Sequence, residues 1–199
     1  MLKRYKFYGG KKIHTEAIEE TGQDLGGRMS GTSRRILVKF KRKKPLPFAE
    51  KILKIESNAT LMQTVFILNQ LKKIGLSTIP TARIAIGKDP KTPEKRVRQI
   101  MTDLTCGGKL KVIDYAVDGH IMGKTKELKN FEEIKKQITK ENEIASEHGF
   151  KFDGNEWLIA VDPNTNMGKP YIVDTKGTQL NNRNLVKQYM EWQAQLLQS

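Results

Sequence analysis

Two short polar clusters in the last third of the sequence contain residue types suited to binding a metal ion. Asp153 and Asn155 precede a β-prone apolar run, Trp157 to Val161. Asp174 follows a second such run, Tyr171 to Val173. A turn rich in proline, asparagine and glycine separates the runs, which predicts a β-hairpin. Because both clusters lie at the same end of that hairpin, we expect Asn155 and Asp174 to lie side by side. An amide and a carboxylate together form an oxygen-rich site suited to Mg2+ and phosphate.

These residues resemble the catalytic half of the protein-kinase-like fold, in which a His-x-Asp-x-x-x-x-Asn loop is followed by a hairpin and Asp-Phe-Gly. His148, Asn155, Asp174 and Gly177 occur here in that order. Phosphotransferases of the aminoglycoside-kinase type have a similar loop that begins with His-Gly and ends with Gly-Asn. The resemblance implies that Asn155 and Asp174 bind Mg2+ and that His148 is a catalytic-loop residue.

The sequence departs from that pattern at the catalytic base. Phe150 stands five residues before Asn155, where the family has the Asp that orients the attacking hydroxyl. Asp153 is a nearby carboxylate, so we predict that it acts as the catalytic residue in place of the missing Asp. One extra residue also separates Asp174 from Gly177. The resemblance therefore implies a metal site with an altered base.

A glycine-rich segment and a basic strand further upstream resemble the nucleotide-binding part of the same family. Gly26, Gly27 and Gly31 permit a close backbone approach to phosphates. The strand that follows, residues 35–40, carries Lys39 and is similar to the family's Val-Ala-Ile-Lys. The resemblance implies that the glycines cover the nucleotide and that Lys39, as a catalytic residue, holds the α- and β-phosphates.

A helix is predicted after a proline-containing break at 45–47, because apolar residues recur at helical spacing between residues 60 and 74. In the family, a Glu on this helix pairs with the strand lysine. The positional match here is Gln63, whereas Glu56 and Glu50 lie earlier in the chain. We favour Glu56 as the partner that helps to bind the nucleotide, with Glu50 and Gln63 as alternatives.

The segment 97–110 resembles the kinase hinge, in which an apolar strand is followed by an acid, a short linker and Gly-Gly-x-Leu. By that resemblance, Thr102 occupies the gatekeeper position. Asp103, Leu104 and Thr105 form the linker, and their backbone N–H and C=O groups would bind the edge of the adenine ring.

The order of these segments implies an α+β protein with a bilobal protein-kinase-like fold. It would have a β-rich N-lobe at 1–105 and a truncated helical C-lobe at 106–199, with a β-hairpin at the active site. A capping box at 130–133 predicts the start of a long helix that ends near residue 147. Helical spacing of apolar residues predicts a last helix over 182–199.

Composition limits the classes of protein to consider. The chain of 199 residues has 37% hydrophobic residues, which suits a modest core, and a net charge of +14, which favours an acidic partner, nucleic acid or anionic lipid. It has a single cysteine, Cys106, so it cannot form a disulfide within the chain, which fits a reducing compartment. The three histidines are far apart, so no zinc site is predicted. We expect no membrane span and no Sec signal, because no long apolar run occurs.

The resemblance implies an ATP- and Mg2+-dependent protein kinase, of serine/threonine type, that acts as a monomer on a protein substrate. In length and outline the chain is similar to minimal effector kinases that bacterial pathogens inject through type III secretion, including the family that phosphorylates the host heat shock protein 90 chaperone. Such a virulence protein would refold in the host cytosol. The alternatives are a pseudokinase or a basic nucleic-acid adaptor. A small-molecule kinase is a third option and ranks below a kinase with a protein substrate.

Overall fold

A computed structural model describes residues 3–9, 14–28, 31–39, 46–53, 58–88, 95–117 and 119–198. The chain divides into two compact units, and each unit is made of two separate stretches of the sequence. Unit 1 contains Met1–Phe66 and Pro80–Asp103, and unit 2 contains Ile67–Ile79 and Leu104–Ser199.

Unit 1 is built on six antiparallel strands that close into a barrel. The strands follow the order β1-β2-β3-β4-β6-β5, and β5 pairs with β1 to complete the barrel. Their bounds are β1 Lys3–Tyr8, β2 His14–Arg28, β3 Gly31–Lys39, β4 Leu46–Leu53, β5 Ala82–Lys88 and β6 Lys95–Thr102.

Alternation of apolar and polar residues explains why these segments form strands with one inward face. Along β3, Ile36 and Val38 are fully buried, whereas Arg35 and Lys39 are only partly buried. Successive side chains of a strand point to opposite faces, so this pattern directs Ile36 and Val38 into the barrel. They pack there in one cluster with side chains of the other strands: Tyr5, Phe7, Ile18, Ala85 and Ile100.

A single long helix, α1 Asn58–Lys73, is inserted between β4 and β5. Its apolar residues include Val65, Leu68 and Leu71, all of which are buried, as the helical spacing predicts. Gly75 follows the helix with a φ of +86°, a conformation that glycine adopts easily and that ends the helix.

Unit 2 combines short sheets with two long helices. Strands β11 Trp157–Asp162 and β12 Met167–Ile172 form the predicted hairpin, and β7 Lys111–Asp114 joins them on the other side of β11. Two-stranded sheets are formed by β8 Ala116–Val117 with β9 His120–Ile121, and by β10 Phe150–Lys151 with β13 Gln179–Leu180. The helices are α2 Gly123–Lys126, α3 Phe131–Glu147 and α4 Arg183–Gln198.

Helix α3 is hydrogen-bonded to the β11–β12 hairpin near each end of the helix. Asn130, at its start, donates to the carbonyl of Gly168 at 2.8 Å and accepts the N–H of Gly168 at 2.9 Å. Near its other end, Asn142 accepts the indole N–H of the buried Trp157 at 3.0 Å. The helix begins where the capping box predicts. The Asn130 side chain, however, bonds to Gly168 of β12 and makes no capping hydrogen bond to its own helix.

The prediction of a bilobal protein-kinase-like fold is wrong. The predicted N-lobe was built from a glycine loop, a lysine strand, a helix and a hinge strand, whereas unit 1 is a closed six-stranded barrel. Two strands account for the difference. β1 pairs with both β2 and β5 and so closes the sheet, and β4 occupies the segment where the proline-containing break was expected. Unit 2 is also richer in strands than the predicted helical C-lobe.

Within the described part of the chain, no helix has the length and apolar character needed to cross a membrane.

Candidate functional site

The base of the β11–β12 hairpin brings the two polar clusters of the sequence together. The carbonyl oxygen of Glu156 accepts the backbone N–H groups of Val173 at 2.8 Å and of Asp174 at 3.3 Å. Asn155 directly precedes Glu156 in the chain. Asn155 and Asp174 therefore lie at the same end of two neighbouring strands, as the sequence predicts.

Asp153 lies on the segment just before these strands, and its carboxylate is held by backbone atoms. Its Oδ1 accepts the N–H of Asn155 at 3.0 Å. Its Oδ2 faces Gly177 so closely that a β-carbon built on Gly177 would lie 1.7 Å from it. Asp153 is nevertheless exposed, so its carboxylate is hydrogen-bonded to the backbone and accessible to solvent.

Asp174 is half-buried and begins a turn of its own, because its Oδ1 accepts the N–H of Lys176 at 3.2 Å. We refer to Asp153, Asn155, Glu156, Asp174 and Gly177 together as the hairpin-base cluster.

Two residues of this cluster carry oxygen atoms of the kind that could bind Mg2+. Mg2+ in proteins is usually held by one or two carboxylates together with substrate phosphates and water. Asp174 and Asn155 offer one carboxylate and one amide oxygen at the same end of the hairpin. Among the residues that the structure describes, no group of three or more His, Cys, Asp or Glu side chains is arranged to hold a metal.

Glu156 is the residue of this cluster that the sequence interpretation overlooked. Its side chain is fully buried, and it accepts the N–H of Asp153 at 2.6 Å and of Gly154 at 2.9 Å. The hydroxyl of Thr178, at 3.3 Å, is a third donor. Burial raises the pKa of Glu156 to about 7, and the nearby charge of Asp153 adds to this rise, whereas the backbone hydrogen bonds oppose it. The signal in the sequence was an acid directly before an apolar strand, which is easily taken for a surface residue.

His148 and Phe150 flank the start of the predicted catalytic loop. His148 is exposed and caps the end of α3, with its N–H bonded to the carbonyl of Ile144 at 3.2 Å. Phe150 is buried and pairs with Leu180 in the sheet formed by β10 and β13. The position where the family has its Asp is thus part of the core, which leaves Asp153 as the exposed carboxylate of the loop.

The predicted glycine loop is a β-hairpin formed by β2 and β3. Gly26 pairs with Ser33, Gly27 with Thr32, and Gly31 with Arg28. These pairings place all three predicted glycines close to the tip of that hairpin.

Lys39, at the end of β3, forms an ion pair with Glu19 of β2 at 2.6 Å, and both side chains are partly exposed. Its ammonium group is thus engaged within unit 1.

The three candidate partners of the strand lysine have different surroundings. Glu50 is buried on β4, where it bonds Arg98 at 2.6 Å. Gln63 is half-buried on α1. Glu56, the favoured candidate, lies outside the described residues.

The predicted adenine-binding residues follow β6. The carboxylate of Asp103 is buried and accepts the Nε–H of Arg35 at 2.7 Å. Leu104 is half-buried. The carbonyl of Thr105 accepts the N–H groups of Gly108 at 3.0 Å and Leu110 at 2.9 Å. The carbonyl of Thr105 therefore already has two donors within its own turn.

No family model, no curated protein and no solved structure matches this chain.

Proposed function

We propose that this protein is a phosphotransferase that uses a nucleoside triphosphate, with ATP as the expected nucleotide, together with Mg2+. The observation that carries the proposal is the pair of hydrogen bonds from Val173 and Asp174 to the Glu156 carbonyl. These bonds keep Asp174 next to Asn155, and an adjacent carboxylate and amide are suited to a metal bound to phosphates.

Asn155 and Asp174 would hold the metal ion, which neutralises charge on the phosphate oxygens when it is bound. Phosphoryl transfer requires positioning and charge stabilisation more than covalent chemistry from the protein. The backbone bonds at the base of the hairpin, which hold the chain at Asn155 and at Asp174 together, support the first requirement.

Asp153 would orient the hydroxyl group that accepts the phosphoryl group. It is exposed, and its carboxylate is fixed between the Asn155 N–H and Gly177. A carboxylate in this position can accept a hydrogen bond from the acceptor hydroxyl and later its proton. The nature of the acceptor rests on the sequence resemblance alone, which favours a protein hydroxyl, with the host heat shock protein 90 chaperone as the first substrate to test.

A basic binding protein without phosphotransfer is the second candidate. The net charge of +14 favours it, because such a charge attracts nucleic acid and acidic proteins.

The decisive experiment compares two aspartates of the same hairpin. Asp174 lies at its base and Asp162 at the opposite end, where its Oδ1 accepts the N–H of Asn164 at 2.8 Å. Asp174→Asn and Asp162→Asn each remove one charge and leave the shape of the side chain almost unchanged. Binding of ATP is measured by calorimetry with and without Mg2+, and transfer of labelled phosphate to a cell lysate is measured in parallel.

We expect ATP to bind the wild-type protein and the Asp162→Asn variant only when Mg2+ is present. In Asp174→Asn, the affinity should fall at least about tenfold, equivalent to about 1.4 kcal/mol, and transfer should be lost. Equal affinity in the two variants, or no ATP binding by the wild-type protein, would contradict the proposal. Binding without transfer would favour a pseudokinase.

A further inference from the structure

Glu156 bonds to both chain segments that form the hairpin-base cluster. Its carboxylate accepts the N–H groups of Asp153 and Gly154, in the segment that precedes β11, at 2.6 and 2.9 Å. Thr178, in the segment that follows β12, donates to the same carboxylate at 3.3 Å. The carbonyl of Glu156 accepts the N–H groups of Val173 and Asp174. One buried residue therefore accepts five hydrogen bonds, and all five come from these two segments.

The side chain uses both of its oxygen atoms as acceptors. Both oxygens accept: Oε1 from Asp153 and Thr178, and Oε2 from Gly154. A glutamine has the same shape, but its NH2 group cannot accept a hydrogen bond, so one of the backbone N–H groups would lose its partner. A buried donor without a partner lowers the stability of the folded state. We therefore expect the segment that contains Asp153 and Gly154 to move in such a variant.

We propose that Glu156 is a positioning residue: its carboxylate and its carbonyl set the separation between Asn155 and Asp174. This inference rests on the proposed function, because that separation matters only if the two side chains share a metal ion. It adds a residue that touches neither metal nor substrate and acts through the backbone of its neighbours. The direct contact between Asp153 and Gly177 also lies within the region that Glu156 fixes.

The surroundings of Glu156 distinguish it from a glutamate that only stabilises the fold. Glu141 of α3 provides the comparison, because its carboxylate also accepts three hydrogen bonds. One comes from Nε2–H of Gln137, on the same helix, at 2.9 Å. The other two come from Ser77, through its N–H at 2.7 Å and its hydroxyl at 2.6 Å. The two Ser77 bonds join α3 to the segment before β5, and none of the three involves the hairpin-base cluster. Glu156→Gln and Glu141→Gln are therefore matched changes with different expected consequences.

The test measures the Mg2+ concentration that gives half-maximal ATP binding, together with kcat, KM and amide hydrogen exchange. In Glu156→Gln, we expect the required Mg2+ concentration to rise about 10- to 100-fold, as it does when groups that orient metal ligands are removed. Exchange at the amides of Asp153 and Gly154 should accelerate in the absence of nucleotide. Glu141→Gln should leave the Mg2+ requirement unchanged even if it lowers the melting temperature. Glu156→Asp keeps the charge but is one methylene shorter, and it should also raise the Mg2+ concentration required. This variant replaces Glu156→Gln in the test if the glutamine variant does not fold.

The outcomes separate this inference from the proposed function. If wild-type protein binds ATP with Mg2+, and Asp174→Asn does not, but Glu156→Gln and Glu156→Asp behave like wild type, the positioning role is refuted and the proposed function stands. If the Mg2+ requirement rises equally in Glu141→Gln, the effect is one of general stability and the positioning role is again refuted. If the wild-type protein binds no ATP, both proposals fail.

Discussion

At the scale of single residues, Gly177 shows how little space surrounds the Asp153 carboxylate. A β-carbon on Gly177 would lie 2.3 Å from Cγ of Asp153, far inside van der Waals contact. Both residues are exposed, so Asp153 can move away without disturbing the core. A methyl group at position 177 should therefore displace the carboxylate that we assign to the acceptor hydroxyl.

We expect Gly177→Ala to lower kcat for phosphate transfer about 100-fold, at the low end of general acid–base contributions, because the carboxylate is displaced but not removed. ATP affinity should fall less, because Asn155 and Asp174 remain in place. Gly123→Ala is the control, since a β-carbon there would meet no atom within 4 Å. Steady-state kinetics and calorimetry on both variants check the prediction, and equal kcat values would argue against a role for Asp153.

The raised pKa of Glu156 predicts how stability depends on pH. Its pKa is about 7 in the folded protein, against an ordinary value of 4.5, mainly because burial disfavours the charged form. The folded state therefore holds more protons than the unfolded state between these two values. Protonation of Glu156 therefore stabilises the folded state. This contribution to the free energy of unfolding is fully present below about pH 4.5 and is lost as the pH rises through about 7.

Urea unfolding of the metal-free protein in EDTA, at pH 5 and pH 8, should show this loss of stability in wild type. The loss should be absent in Glu156→Gln, and an unchanged pH dependence in that variant would count against the assignment.

At the scale of elements, the barrel contains a buried ion pair that joins β4 to β6. Glu50 bonds Arg98 through both carboxylate oxygens, at 2.6 and 2.5 Å, and the guanidinium lies 5.0 Å from the ring centre of Tyr5. The Tyr5 hydroxyl accepts a further bond from Arg98 at 3.1 Å. Burial alone would lower the pKa of Arg98, but the hydrogen bonds and charge of Glu50 outweigh it and raise that pKa. Arg98 thus remains charged inside the barrel.

We expect Glu50→Gln to lower the free energy of unfolding by about 3–5 kcal/mol, because it removes the negative charge with which the buried Arg98 guanidinium pairs. Lys39→Ala breaks an ion pair that is partly exposed, between Lys39 and Glu19, and should cost less than about 1 kcal/mol. Urea denaturation of the two variants at pH 7 makes the comparison. If both variants lost a similar free energy of unfolding, burial would not make the Glu50–Arg98 pair more important for stability than the partly exposed Lys39–Glu19 pair.

The elements that were predicted correctly from the sequence are those with a local signal. The β11–β12 hairpin and helices α1, α3 and α4 follow from apolar periodicity and turn residues, and each was found within a few residues of its expected position. Strand β4 was missed because Pro47 was interpreted as a break, although here it pairs with Leu37 inside the strand. Closure of the barrel was missed because it joins β1 to β5, whose paired residues are distant in the sequence, such as Phe7 and Ala85.

The same distinction applies to the candidate site. The proximity of Asn155 and Asp174 was predictable, since a hairpin fixes it locally. The burial of Glu156 and of Phe150 depends on contacts with Thr178 and Leu180, beyond the hairpin, which no pattern of spacing reveals. The predicted role of Lys39 assumed a free ammonium group, whereas Lys39 is in an ion pair with Glu19 within unit 1.

At the scale of the whole molecule, the net charge of +14 predicts non-specific affinity for polyanions. Such binding releases counterions, so the logarithm of the binding constant should fall linearly with the logarithm of the salt concentration. We expect retention on immobilised DNA to be weak at physiological salt and strong at low salt, and to be unaffected by Asp174→Asn. Fluorescence titration with DNA at several salt concentrations measures the slope. Tight, salt-resistant and sequence-dependent binding would instead favour the basic adaptor as the main function.

The way in which β1 completes the barrel has a consequence for handling and engineering the protein. Each of the six strands is hydrogen-bonded to a neighbour on both sides, and β1 is the strand that occupies the gap between β2 and β5. Removal of the residues up to and including Tyr8 would delete β1. The backbone N–H and C=O groups of β2 and of β5 that pair with β1 would then have no strand partner. Exposed rows of this kind recruit strands from other molecules, so shortened versions should self-associate or exchange their first strand between copies.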